Sequence, residues 1–406
     1  MRPGGQGKSD FALSEAWGRI EAVRYFDHNA TYPVSSAART AWVDALDRFP
    51  ANPSSPHRWG ARASKAIDDA REQVAALIGF PASELVWTSG ATEANNAIIR
   101  HLAAATEGPV LVSTTEHPSI QTAAARLLGS RVEPLPATRD GVVDLGWLQD
   151  RLQRGPAAAV VLMAANNETG VLQPLGPVSA LCADRGVPLA SDAVQWVARL
   201  PTAPLKAASM MSASGHKFGA PQGVGLLRTS AGFRPSQLGG PQEEGRRAGT
   251  ENVPGILAFA AALAATPAAR FGTQENPTPS SCSSNELTER LLWRDRFIER
   301  LCQAIPGVEI LGRNAERLWN TVAVLMPAPR DCRRRWVAKL DRLDFAVSTG
   351  SACSSGKEVT SPVLQAMGYR PEESDRMLRF SSGWETRPED WDALLAALRQ
   401  AADELV

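Results

Sequence analysis

Cysteine is scarce in this chain of 406 residues, which has five cysteines and no pair with the CxxC spacing. This sparse, odd set argues against a disulfide framework or a zinc knuckle and fits a reducing compartment. Net charge is absent too, because 43 basic residues balance 43 acidic ones, and nothing electrostatic favours nucleic acid or an anionic membrane. Apolar runs end at about ten residues, about half a membrane span. We therefore expect a soluble cytoplasmic protein without a signal peptide.

From about residue 60 the sequence alternates helical periodicity with short runs of β-branched and other apolar residues. Residues 62–79 repeat apolar positions at the helical period, and Gly79 stands where such a helix would end. Helices are also predicted over 91–103, 119–128 and 178–185, and strands over 84–88, 110–113, 160–164 and 187–191. This alternation predicts an α/β fold, with a mostly parallel sheet covered on both faces and a ligand beyond the carboxyl ends of its strands.

The composition changes after residue 269. Residues 271–286 are rich in Ser, Pro, Thr and Asn, which predicts a flexible linker or insertion. Beyond it a helix is predicted over 287–304 and a terminal helix over 388–406, with strands over 318–325 and 345–348. These elements are enough for a second, smaller α+β domain.

Residues 88–92 (TSGAT) lie between a predicted strand and a predicted helix. Gly90 permits a tight turn there. The main-chain amides of Ala91 and Thr92, together with the Thr92 hydroxyl, would then form an anion site at the helix N-terminus. A simple Ser/Thr N-cap explains the same residues equally well.

Two further segments place charged groups after strands. Asp192 follows an apolar run and would be partly desolvated, so it needs a partner such as a protonated pyridine nitrogen, unless it only caps a helix. Lys217 follows His216 and precedes a loop rich in Gly and Pro. A desolvated lysine has a lowered pKa, and its neutral amine can attack a carbonyl carbon, although most single lysines face solvent.

Eight segments occur in the order and spacing of one protein family: 25–31, 88–95, 116–118, 166–170, 192–195, 214–217, 239–252 and 348–356. Together they resemble the cysteine desulfurases, which are pyridoxal 5'-phosphate (PLP) enzymes of the class V aminotransferase superfamily. The similarity runs from about Tyr25 to Thr386, and the chain departs from the family pattern at His28, Pro241 and Trp319.

The resemblance implies an α/β protein of PLP fold-type I. A large domain over residues 32–270 would contain a mostly parallel sheet of seven strands flanked by helices. Residues 1–31 would join residues 271–406 in a small α+β domain that carries a catalytic cysteine loop. Within the family, the segment around Cys353 is similar to the long-loop branch of housekeeping and nitrogen-fixation enzymes.

The resemblance also implies a role for each residue that matches the cofactor site. Lys217 would hold PLP covalently, and Asp192 would pair with the pyridine nitrogen and keep the ring electron-withdrawing. Gln195 would contact the phenolic oxygen. His117 would stack on the ring and take part in proton transfer.

The phosphate and the substrate have matching residues of their own. Phosphate contacts are implied for the helix start and for the turn before the lysine, at Ala91, Thr92, Ser214 and His216. Thr250 resembles a threonine that is donated by the other subunit of a homodimer. Asn167, which also belongs to the cofactor site, and Arg379 resemble the substrate anchors. Arginine suits a carboxylate because its fork binds both oxygens.

Cys353 decides the reaction that the resemblance implies. It lies in residues 349–356 (TGSACSSG), where the small residues favour movement over the burial of a structural thiol. The family converts L-cysteine to L-alanine and keeps the sulfur as a persulfide on this cysteine, which carries it to an acceptor. An iron–sulfur scaffold, a tRNA-thiolation relay and a molybdopterin pathway all remain open as acceptors. No function is predicted for Cys182, Cys282, Cys302 and Cys332.

Alternative functions also remain open. A selenocysteine lyase or a class V aminotransferase would use the same cofactor, but an aminotransferase needs no mobile cysteine. A third alternative is a binding subunit without catalytic activity. Mutation without selection should have removed Lys217, Asp192 or Cys353 from such a protein, and the presence of all three argues against it. The predicted partners are L-cysteine, a sulfur acceptor and a second copy of the chain, with no metal, nucleic acid or membrane.

Overall fold

The computed structural model describes residues 23–229, 232–235, 237–267, 285–327, 332–350 and 360–405. Its helices are α1 (Ser36–Arg48), α2 (Arg58–Ile78), α3 (Ala91–Ala105), α4 (Pro118–Leu127), α5 (Leu145–Arg154), α6 (Leu175–Ala183), α7 (Val253–Ala265), α8 (Asn285–Ala304), α9 (Cys332–Arg342), α10 (Pro362–Ala366), α11 (Pro371–Ser374) and α12 (Pro388–Leu405). Its strands are β1 (Arg24–Tyr25), β2 (Leu85–Thr88), β3 (Val110–Ser113), β4 (Val132–Leu135), β5 (Ala159–Val161), β6 (Leu189–Asp192), β7 (Met210–Ser214), β8 (Gly225–Arg228), β9 (Glu309–Ile310), β10 (Thr321–Leu325), β11 (Phe345–Ala346) and β12 (Met377–Ser381). None of these helices is long and apolar enough to cross a membrane.

Seven strands form the main sheet in the order β2-β8-β7-β6-β5-β3-β4. Strand β8 runs antiparallel to β2 and β7, and the other neighbours are parallel. Successive side chains of β3 point to opposite faces of the sheet. Val110 and Val112 share an apolar core with α3 and α4, and Leu111 shares one with α2, α6 and α7. The predicted α/β fold, with its mostly parallel sheet covered on both faces, is confirmed.

Local chemistry explains where the predicted elements begin and end. Helix α2 stops at Gly79, whose φ of 74° is left-handed and therefore suits glycine. The predicted strand 160–164 is longer than β5, which ends at Val161. The main chain nevertheless continues along β6, because the Leu162 and Ala164 amides still donate to its carbonyls.

Smaller sheets lie outside the main one. Strands β9, β10 and β12 are antiparallel in the order β12-β10-β9, and β1 pairs in parallel with β11. They share an apolar core with α8, α9 and α12. Most of the predicted linker 271–286 lies outside the described residues, but the prediction was wrong for residues 285 and 286, which begin α8. The boundaries of the two domains stay a prediction.

His28 lies at the contact between the N-terminal segment and β12. Its ring is 5% exposed, and Nδ1 donates to the Ser381 carbonyl at 3.0 Å. Tyr25 and Tyr32 pack edge-on against the ring. Burial lowers the pKa of His28 to about 4, with a smaller contribution from the Arg199 cation.

We expect His28 to make stability depend on pH between about 6.5 and 4. In that window the unfolded chain binds a proton that the folded chain excludes, so the free energy of unfolding falls as the pH falls. The full shift corresponds to about 3 kcal/mol. Urea denaturation at pH 7 to 4 measures the effect, and His28→Asn should remove the part of the pH dependence that comes from His28. The part that comes from His216 should remain, because burial also lowers the pKa of His216 to about 4. Parallel stability profiles for the two proteins would contradict the prediction.

Candidate active site

A cavity of about 940 Å³ opens at the carboxyl ends of the parallel strands, where α/β sheets bind ligands. Most of the predicted site residues line it: Ala91, Thr92, His117, Asn167, Asp192, Gln195, Ser214, His216, Lys217 and Arg379. Thr250 is exposed and is not part of the cavity wall. Cys353 lies outside the described residues.

Asp192 is the last residue of β6, and the residue is 6% exposed. Oδ2 accepts a hydrogen bond from Asn95 Nδ2 at 2.7 Å, and Oδ1 accepts one from the Val194 amide at 3.0 Å. Within the described residues no cation forms an ion pair with this carboxylate. Asp192 therefore presents to the cavity a buried negative charge that is oriented by neutral donors.

Lys217 ends the short 3₁₀ turn that follows β7. Its Nζ donates to the main-chain carbonyls of Asn29 at 2.8 Å and Ala30 at 2.7 Å. Burial, together with the smaller effects of the nearby Arg199 and Arg379 cations, lowers the pKa of Lys217 to about 8. The amine is therefore available in its neutral form near physiological pH.

His117 precedes α4 and caps it. Nδ1 accepts from the Ser119 amide at 3.1 Å and lies 2.8 Å from the Ser119 hydroxyl. Burial lowers the pKa of His117, so the ring is neutral and its proton is on Nε2. Asn95 links this pair to Asp192, because its Nδ2 also donates to Ser119 Oγ at 2.9 Å.

The N-terminus of α3, a helix of 15 residues, opens on the cavity, where Ala91 and Thr92 are part of the wall. The first amides of a helix have no partner within it and point toward an anion. Gly225 lies so close to this turn that a Cβ would be 2.5 Å from Gly90 Cα. Ser214 of β7 pairs with Gly225 of β8, so this close contact also brings Ser214 next to Gly90. A Cβ built on Gly90 would lie 3.7 Å from the Ser214 hydroxyl oxygen.

Arg379 lies in β12 and is 1% exposed. Its Nη2 donates to Asp27 Oδ1 at 2.7 Å, and Nη1 donates to the carbonyls of Asn167 at 2.7 Å and Gly350 at 2.8 Å. In the part of the chain that the structure describes, its Nε has no partner. The guanidinium is thus held at the cavity wall by one carboxylate and two main-chain carbonyls.

Two buried carboxyl groups in the cavity wall were not predicted as site residues. Glu116 accepts from the Met163 amide, and burial together with the Asp192 charge raises the pKa of Glu116 well above its usual range. Glu168 accepts from the Ser361 hydroxyl at 2.6 Å, and burial raises its pKa. Both stand inside matching motifs, but nothing in the sequence alone indicates that their side chains are buried.

The chain is similar in sequence to known proteins. Residues 24–394 match the family model for aminotransferase class-V. The chain is similar to cysteine desulfurase 2 of Trichormus variabilis, with 36% identity over 95% of this chain and 94% of that one. It is also 36% identical to a cysteine desulfurase of Rhodobacter capsulatus, covering 94% and 97% of the two chains.

Solved structures give the same relationship. A NifS-like protein from Rickettsia africae superimposes with a TM-score of 0.81 at 28% identity, over 94% of this chain and 99% of that one. A structure described as SspA in complex with cysteine superimposes with a TM-score of 0.73 at 25% identity, over 88% and 98% of the two chains. The chain therefore belongs to the class V aminotransferase family, within its cysteine desulfurase group.

Proposed function

We propose that this protein is a PLP-dependent L-cysteine desulfurase that converts L-cysteine to L-alanine and passes the sulfur to an acceptor protein through Cys353. The observation that carries the proposal is the convergence of Asp192, Lys217 and Arg379 on one cavity. These groups can hold a cationic ring, a carbonyl carbon and a carboxylate, respectively. The cysteine desulfurases that the chain resembles over almost its whole length support the same function.

The residues of the cavity fit PLP. Asp192 is a buried carboxylate without a cationic partner in the described residues, and the start of α3 supplies amides for a phosphate. Gln195 Oε1 is buried without a hydrogen-bond partner there, while its Nε2 donates to the Asn29 carbonyl at 3.0 Å. When bound, PLP would supply an electron-withdrawing ring that stabilises negative charge at the substrate Cα.

Residues of the cavity would then bind the substrate and transfer its protons. Arg379 would bind the L-cysteine carboxylate with its guanidinium at the cavity wall, with Asn167 beside it. Lys217, with a pKa of about 8, would move the proton at Cα, because its neutral form accepts a proton and its charged form returns one. The neutral ring of His117 carries its proton on Nε2 and would provide a second group for proton transfer, besides Lys217.

The sulfur step would be a displacement at the substrate sulfur. The Cys353 thiolate attacks that sulfur, an S–S bond forms, and the substrate C–S bond breaks. The electron pair of the broken bond stays on the carbon skeleton, which takes up a proton and leaves as alanine. The sulfur stays on Cys353 as a persulfide until an acceptor thiol removes it.

Cys353 lies three residues after the last described residue of its segment. Gly350 is held at the cavity, since its carbonyl accepts from Arg379 Nη1 at 2.8 Å. Cys353 follows this anchored glycine by three residues in the sequence, which supports a thiol that serves a substrate bound at Arg379.

A homodimer is part of the proposal. Val43 and Leu46 of α1 and Trp59 of α2 are 57%, 56% and 43% exposed, and we assign them to the partner surface. The exposed Thr250 would serve the second subunit's site. The acceptor we propose is a protein of iron–sulfur cluster or thio-cofactor biosynthesis.

Product analysis tests the function. Purified protein incubated with PLP, L-cysteine and a thiol reductant should form alanine and sulfide in equal amounts. An aminotransferase would instead form a keto acid and pyridoxamine phosphate, and that result would refute the proposal. A parallel incubation with L-selenocysteine compares the two substrates, and a selenocysteine lyase would act on L-selenocysteine alone.

A further inference from the structure

Arg199 is a buried cation behind the lysine. It is 3% exposed, and its guanidinium donates to main-chain carbonyls. Nη2 reaches the Lys217 carbonyl at 3.2 Å and the His28 carbonyl at 3.3 Å, and Nη1 reaches the Val194 carbonyl at 3.4 Å. Within the described ranges no carboxylate lies within ion-pair distance of this guanidinium.

This pairing differs from that of Arg71 and Arg379. Arg71 and Arg379 each bind a carboxylate at 2.7 Å, Glu243 and Asp27 respectively. A buried charge without a counter-ion is unfavourable, and a hydrophobic residue or an ion pair would serve stability better. Burial lowers the pKa of Arg199 to about 10, so the group is still charged at neutral pH.

The three carbonyls belong to the three segments that hold the lysine and its surroundings. Residues 28–30 include the carbonyls that accept from Lys217 Nζ, and residues 192–195 include the buried Asp192. The third carbonyl is that of Lys217 itself. The Arg199 main chain is held in turn by Trp319, whose Nε1 donates to its carbonyl at 3.1 Å.

We propose that Arg199 is a positioning residue for Lys217, which fixes the main chain of the lysine and keeps an uncompensated positive charge near its side chain. The proposal rests on the proposed function, in which Lys217 must act as a neutral amine. After burial, the Arg199 charge is the largest influence that lowers the pKa of Lys217. The other charged or titratable groups that interact with this lysine are Asp27, His117, Asp192, His216 and Arg379.

Competitive labelling with acetic anhydride tests the inference without cofactor or turnover. Full-length, cofactor-free protein is labelled over pH 6 to 11, and the Lys217 peptide is quantified by mass spectrometry. The wild-type midpoint is expected near pH 8. Arg199→Met should move the midpoint to higher pH and reduce labelling at pH 7 about threefold to tenfold, because half to one pKa unit changes the neutral fraction by that factor.

Variants separate the charge from a general loss of packing. Arg199→Gln is a second neutral variant that should behave like Arg199→Met, whereas Arg199→Lys should keep a midpoint close to the wild type. Arg317→Met removes another buried arginine, one that is not part of the cavity wall. It should leave the midpoint of Lys217 unchanged, whatever its effect on the melting temperature.

An unchanged midpoint in both neutral variants would overturn the inference, and so would an equal shift in Arg199→Lys. Neither result would touch the proposed function, which depends on alanine and sulfide formation by the wild-type enzyme. Conversely, a wild-type protein that forms no alanine would refute the proposed function whatever the labelling midpoint.

Discussion

Replacing Lys217 by alanine is expected to abolish covalent attachment of PLP and to reduce alanine formation from L-cysteine by about 10⁴-fold or more. The methyl group can neither bond to the cofactor nor carry the proton at Cα. The cavity would still bind PLP through Asp192 and the start of α3, since neither depends on the lysine side chain. The visible absorbance of the reconstituted protein, borohydride trapping and the alanine assay measure the three properties separately.

Lys206→Ala is the matched control for this variant. Lys206 is exposed, lies in the turn that precedes β7, and is not part of the cavity wall. Its loss should leave absorbance, trapping and alanine formation unchanged. A Lys217→Ala protein that still fixes the cofactor covalently would show that another amine holds it, and the assignment of Lys217 would be wrong.

Replacing Cys353 by serine is expected to separate cofactor binding from sulfur transfer. A serine hydroxyl neither attacks divalent sulfur nor holds a persulfide, so alanine and sulfide formation should fall at least about a hundredfold. The visible absorbance of the bound cofactor should match the wild type, because Asp192, Lys217 and the start of α3 are unchanged.

The control for the serine variant is Cys302→Ser. Cys302 lies in α8, is partly buried and is not part of the cavity wall. Alanine formation by this variant should equal that of the wild type. Full desulfurase activity in Cys353→Ser, with normal cofactor binding, would show that Cys353 does not accept the sulfur.

The cavity residues could be predicted from the sequence because they stand where strands end. Asp192 ends β6, Ser214 ends β7, and Gly90 follows β2. In a mostly parallel sheet such ends come together at one edge. A pattern of apolar runs therefore indicates both the fold and the place of the chemistry.

The partners of these residues could not be predicted in the same way. Asn95 orients Asp192 from 97 positions away, and Arg199 reaches the His28 carbonyl across 171 positions. Such contacts depend on the packing of distant segments, which leaves no local spacing in the sequence. The burial of Glu116 was missed for the same reason, since its neighbours across the cavity include Asp192.

Helix α1 shows another limit of the sequence pattern. Only Ala38 and Ala45 of its residues are buried, whereas the larger Val43 and Leu46 are exposed. Helical periodicity identifies a helix when its large apolar residues share the buried face. Here only Trp42 among the large apolar residues packs against the core, and we infer that the exposed Val43 and Leu46 serve a partner surface.

In the proposed reaction, the thiol of Cys353 takes the sulfur atom from L-cysteine in this cavity. The direct measurement is a brief incubation of the PLP-bound enzyme with L-cysteine without reductant, followed by alkylation and mass spectrometry of the Cys353 peptide. We expect one added sulfur atom on that peptide for each alanine formed, and no such addition in Lys217→Ala. Alanine formed without sulfur on Cys353, or with the sulfur on another cysteine, would contradict the account.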